Sequence, residues 1–129
     1  MKKLVLLLFV PLLMATQCED DEALVPSTDF LIRNNSSFDL IYITDDAGQL
    51  TIESETSLFI AVWDDPAGAV NPSDTPAFDS IELFSTDDDG NLVSVYDQDP
   101  INDELWALNE PAPDSFEYIL FITDDDLTN

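Results

Sequence analysis

An antiparallel β-sandwich, immunoglobulin-like or of a similar Greek-key connection, is the fold class this sequence predicts. Three observations predict it. Seven to eight short runs rich in Val, Ile, Phe, Tyr and Thr recur at a spacing of roughly ten residues. Clusters of Asn, Asp, Ser, Gly and Pro separate them. No stretch of helical period is long enough to carry a crossover between parallel strands.

The elements follow in order. Residues 28–34 (Thr-Asp-Phe-Leu-Ile-Arg-Asn) form a β-rich run that stops at the turn cluster Asn34-Asn35-Ser36-Ser37. In the next run, Phe38 to Thr44, a period of two places Phe38, Leu40 and Tyr42 on one face. Asp45 to Gln49 turns the chain, with Gly48 free to take positive φ, and Leu50 to Glu53 returns as a half-buried strand. Ser57 to Trp63 is apolar on both faces and reads as a central strand. Residues 64–77 hold Pro66, Pro72, Pro76 and Gly68 without periodicity, which makes them the longest loop. Strand character resumes over Phe78 to Ser85, turns at Thr86 to Asn91 and runs back over Leu92 to Asp97. A helical turn capped by Asp99 is expected around Pro100. A weak strand follows at Glu104 to Leu108 around Trp106, then a turn through Pro111 and Pro113. Ser115 to Thr123 is the strongest strand, and Asp124-Asp125-Asp126 ends the fold. The recurring Thr-Asp-Asp after strands, at Thr44, Thr86 and Thr123, fits either internal duplication or a shared turn preference.

Upstream of this body the chain has a different character. Lys2 and Lys3 precede an apolar run from Leu4 to Met14, the order of a secretory signal peptide and too short for the roughly 20 residues a membrane span needs. Residues 1–17 are therefore expected to be removed on export. Ala15-Thr16-Gln17-Cys18 resembles a bacterial lipobox, although Gln17 and Ala15 depart from its usual small and branched aliphatic residues. The resemblance implies a lipid on Cys18, the only cysteine of the chain. Cleavage after Ala15, giving a soluble secreted product, is the alternative. Glu19-Asp20-Asp21-Glu22 resembles the acidic export tag of Bacteroidetes-type surface lipoproteins, which implies a cell-surface position on the outer membrane. The expected organisation is a signal peptide at 1–17, a lipidated acidic linker at 18–27 and a β-sandwich domain at 28–129. The ending Tyr118 to Leu127, preceded by Trp106, is similar to the closing strand of small acidic lipoproteins of the same bacterial group, and that similarity carries no function across.

Composition narrows the chemistry. The chain holds 28 acidic residues against three basic ones, for a net charge of −25, and two of the three are Lys2 and Lys3. Nucleic acid and anionic lipid are poor partners for such a surface, because both are bound through Lys and Arg. A coat of this kind also resembles proteins of salty environments, where most carboxylates are solvated. The absence of histidine removes Ser-His-Asp catalysis, most zinc sites and the usual base near neutral pH. The domain has no lysine for Schiff-base chemistry, and if Cys18 is acylated it has no thiol either. The sequence thus points to a non-enzymatic binding or structural module, with carboxylate-based hydrolysis as the remote exception.

Two candidate sites stand out. Asp-rich tips suit a hard cation such as calcium. The tip at Asp87 to Asn91 is not an EF-hand, since aligning Gly90 with that loop's glycine puts Ser85 and Tyr96 at ligand positions that require acids. If every link reverses the chain, Asp45, Asp46, Asp64, Asp65, Asp124 and Asp125 share one end and form the expected metal site. The second candidate is an outward apolar patch of Phe59, Trp63, Trp106 and Phe121, on which a protein or a glycan would stack.

Overall fold

The computed structural model describes residues 24–128. The signal segment, Cys18 and its acidic run lie outside the described residues, as does Asn129.

The two-residue alternation of the sequence becomes strand after strand. β1 (Ser27–Asn34) buries Thr28, Phe30, Ile32 and Asn34 and turns Asp29, Leu31 and Arg33 the other way. Seven more strands follow: β2 (Leu40–Thr44), β3 (Gly48–Ile52), β4 (Ser57–Asp64), β5 (Ile81–Thr86), β6 (Leu92–Gln98), β7 (Trp106–Ala112) and β8 (Ser115–Ile122). They form two four-stranded sheets, one in the order β4-β1-β8-β7 and the other β3-β2-β5-β6. The first sheet supplies Phe30, Ile32, Trp106, Tyr118, Leu120 and Ile122 to the core and the second Leu40, Tyr42, Ile52, Ile81 and Leu83. Each such side chain, fully removed from water, contributes about 1.5–3 kcal/mol. The molecule is the β-sandwich its sequence predicts.

Several local expectations are corrected. β8 runs parallel to β1 along its whole length, from Ser27 beside Ser115 to Asn34 beside Ile122, whereas the other pairs are antiparallel. β4 is an edge strand rather than a central one, pairing with β1 alone. Phe38 lies before β2 and is 53% exposed, so it does not share the buried face of Leu40 and Tyr42. The helical turn after β6 is Asp103–Leu105, capped by the Asn102 side chain, which accepts from the Glu104 N–H. Asp99 is not the cap, because Gln98 Oε1 accepts the Asn102 N–H and residues 99–101, with a cis bond at Pro100, are used in turning the chain. β7 continues past Pro111 to Ala112 with a bulge, which an edge strand tolerates. Asp114, at φ 60, makes the turn into β8. Asp124–Asp126 form a short 3₁₀ turn closed by a capping box with Thr123, and Leu127 packs onto the core.

Among the described residues every buried side-chain nitrogen and oxygen is partnered. Asn34 donates from Nδ2 to Phe38 O at 2.7 Å and Ile52 O at 2.9 Å, and its Oδ1 accepts from the Ser36 N–H and hydroxyl. This knot ties the end of β1 to the start of the second sheet. On the opposite flank Gln98 Oε1 accepts from the Trp106 indole at 2.9 Å, and Gln98 Nε2 donates to the Tyr96 hydroxyl. An unsatisfied group at either place would cost about 1–3 kcal/mol.

Candidate functional site

The outer face of the first sheet is the most distinctive surface of the molecule. Register alone assembles it. Leu31 of β1 stands between Phe59 of β4 and Ile119 of β8, and Ile119 in turn lies beside Ala107 of β7. An apolar row therefore crosses all four strands. Phe121 extends it beside Arg33, and Val62 extends it beside Asp29. Phe59, Val62 and Phe121 are each between 44% and 52% exposed, although facing residues of one sheet this apolar normally lie against something.

A bulge decides which residues of β4 take part. Phe30 pairs with Ala61 and Leu31 with Phe59, so Ile60 is the unpaired extra residue. Phe59 and Val62, three positions apart, consequently share the outer face, and Ala61 and Ile60 pack toward the core. Strict alternation, which places Phe59, Ala61 and Trp63 together, fails at that point. Trp63 stands opposite Thr28, whose side chain points inward, and stays 40% exposed because β4 is at the sheet edge.

Of the expected patch residues, Phe59 and Phe121 lie on the outer face and Trp63 on the adjoining edge. Trp106 does not belong to the patch. Only 5% of it is exposed, it stacks on Phe78 at 5.8 Å, and its ring meets Phe30 edge-on at 6.3 Å. Its indole N–H is taken by Gln98. Val62 is a member that sequence reasoning missed.

The face is negatively biased. Asp29 lies directly beside Glu117 and opposite Val62, with Asp64 one pleat further along β4. Partial burial first, then the charges of Glu117 and Asp64, push the Asp29 carboxyl above its usual range. Arg33, the only basic side chain among the described residues, is engaged with Asn35 Oδ1 at 3.0 Å and Ser57 Oγ at 3.4 Å, and with Glu55 at 3.7 Å. The Arg33–Glu55 pair is exposed and contributes little.

The six aspartates expected at one end are separated by the parallel β1–β8 pairing. Asp64 ends β4 beside Ser27, whereas Asp124 follows β8 at the end where Asn34 lies. There Asp124 accepts the Ser37 N–H at 2.7 Å and the Ser37 hydroxyl at 3.0 Å, a structural brace across the two sheets' connection. Asp125 is exposed beside it. Asp65 accepts the Ala67 N–H at 2.7 Å. Asp45 and Asp46, exposed in the β2–β3 turn, line an open groove of about 580 Å³ whose other wall includes Phe59 and Ile60. Among the described residues no three acids gather as they would around a metal ion. In the β5–β6 turn Asp87 accepts the N–H groups of Asn91 and Asp89, which hold its carboxyl below the usual range.

Searches against family models, curated proteins and solved structures found no match to this chain.

Proposed function

We propose that the chain is a non-enzymatic surface lipoprotein, exported and held on the outer membrane through Cys18, whose β-sandwich binds a protein partner. The observation that carries the binding half is the apolar row Phe59, Leu31, Ile119 and Phe121 on an otherwise acidic body. Such a row loses free energy in water and regains it, at about 25 cal/mol for each Å² covered, when a partner lies on it. The anchoring half is supported by the order of Lys2, Lys3, apolar run, Cys18 and acidic run in the sequence. Two or more acyl chains on Cys18 would hold the domain stably where one holds it only reversibly. A protein surface is favoured over a glycan because Phe59, Leu31 and Ile119 form a continuous apolar row, while the neutral hydrogen-bonding side chains of Ser27, Ser57, Ser115 and Asn109 stand outside that row.

Site-specific photo-crosslinking on intact cells tests the binding half. A photoreactive residue at position 121 is expected to capture a discrete protein, and one at position 88, in the β5–β6 turn of the other sheet, is not. Equal yields from both positions, or none from position 121, would contradict the reading. Incorporation of labelled palmitate into the wild type and not into Cys18→Ser tests the anchor separately.

A further inference from the structure

We propose that β4 is an acceptor edge: an extended segment of another protein, alternating apolar with basic residues, joins the first sheet beside β4 as a fifth strand. The proposal rests on the binding-module reading and names the partner's chemistry and mode of attachment.

Of the other three sheet edges two are interrupted and the third is short. β7 carries Glu110, Pro111 and a bulge. β6 receives Thr128 at its own bulge, where the Thr128 N–H and hydroxyl donate to Val95 O at 2.8 and 3.1 Å. β3 is five residues long and starts at Gly48. Prolines, charges, bulges, shortness and covering segments are the means by which soluble sheets avoid pairing edge to edge. β4 has eight residues, Ser-Leu-Phe-Ile-Ala-Val-Trp-Asp, with no proline, no lysine and no charge before Asp64. Its bulge is followed by the regular stretch Ala61 to Asp64. Among the described residues no turn or loop backbone bonds to residues 58–64.

The phase of the free edge is fixed from both ends. The Asp65 N–H donates to Pro26 O at 3.0 Å, and Thr56 O accepts the Asn34 N–H at 2.9 Å. Backbone groups of alternate residues point the same way across an antiparallel ladder. Trp63, Ala61 and Leu58 therefore address β1, Ile60 absorbs the odd residue, and Ser57, Phe59, Val62 and Asp64 offer their N–H and C=O groups outward.

Charge selects the occupant. Asp45 and Asp46 stand on the groove side of this edge with Phe59 and Ile60, and Asp64 ends β4 on the outer side, with Asp29 of β1 and Glu117 of β8 further in. An added strand thus lies between two sets of carboxylates, with Phe59, Val62 and Trp63 exposed beside it. Side chains alternate between the faces of a strand, so the residues on the groove side are basic, toward Asp45 and Asp46, while those on the outer side are apolar and cover Phe59 and Val62. A second copy of the chain would bring the same acids and a like net charge.

The test uses the chain with its lipid, in detergent micelles, and an end-blocked octapeptide alternating valine with lysine. Backbone amide exchange is followed by NMR. Strand addition predicts that the Phe59, Val62 and Asp64 amides slow on peptide binding, and that Val62→Pro, which removes an outward N–H and no ladder bond, weakens binding by roughly tenfold or more. Asp45→Asn with Asp46→Asn is expected to weaken it, and Asp88→Asn with Asp89→Asn, removing equal charge in the β5–β6 turn at the other end of the second sheet, much less. Binding without protection at Val62, or equal losses from the two charge pairs, would overturn the proposal. Protection that grows with protein concentration in the absence of peptide would assign the edge to a second copy and overturn it too. Shifts at Ile119 and Phe121 without protection at Val62 would refute the edge and leave the binding module standing, whereas no response at either place would count against both.

Discussion

The two tryptophans mark two regions built from similar sequence and finished differently. Trp106 begins an edge strand and yet is sealed: rings of Phe30 and Phe78 lie against it, Gln98 satisfies its indole, and only 5% of it meets water. Trp63 ends the opposite edge strand of the same sheet, 40% exposed, beside Val62 and close to the acids of the outer face. The difference lies in what the chain supplies next to each. The loop of residues 65–80 folds Phe78 into the core beside Trp106, and the end of β6 brings Gln98. Among the described residues no turn or loop backbone bonds to residues 58–64 of β4. An aromatic strand is therefore either core or open surface according to what the rest of the chain lays over it.

Breaking the sealed side should have the largest effect. Trp106→Ala removes a buried aromatic and strands Gln98, so a loss of about 3–5 kcal/mol in denaturant unfolding is expected. Gln98→Ala keeps the ring and removes its acceptor, and a loss of about 1–3 kcal/mol is expected from the unpaired indole N–H.

On the open side the effects are smaller and one changes sign. Asp29 is easier to protonate folded than unfolded, because burial and the neighbouring acids raise its carboxyl. The folded state therefore binds more protons across the window just above the ordinary aspartate value, and stability falls as pH rises through it. Asp29→Asn should raise the melting temperature at neutral pH, with the gain fading in acid below the ordinary value, where the carboxyl is protonated in both states. A thermal melt series against pH checks it. Trp63→Ala should cost well under the Trp106→Ala loss in the same denaturant unfolding, because 40% of Trp63 already meets water in the folded protein.

Much of the fold was legible because a strand's periodicity is local. Thr28 to Asn34 alternates so regularly that its buried face follows from the residues alone, and the turns at Asp45 to Gly48 and Asp87 to Asn91 carry their own chemistry. Pairing is not local, and the misses lie there. Residues 57–63 are apolar on both faces whether a strand sits in the middle of a sheet or at an open edge, so the edge position of β4 was hidden. The parallel placement of β8 beside β1 was hidden for the same reason, and with it the separation of Asp124 and Asp125 from Asp64 and Asp65. The patch was half legible. Phe59 and Phe121 follow from alternation, Val62 required a bulge that no residue type announces, and Trp106 was withdrawn by Gln98, a partner eight residues away whose role only the fold reveals.

The central claim, that one flank is sealed and the other is left open to a partner, is tested most directly by the two tryptophans themselves. Emission assigned to Trp63 by subtracting the spectrum of Trp63→Phe should be accessible to acrylamide in the free protein, and should shift to the blue and become shielded when the valine–lysine peptide binds, while Trp106 stays shielded throughout. A Trp63 signal that remains equally quenched with the peptide bound, or a Trp106 signal that changes in its place, would contradict the account.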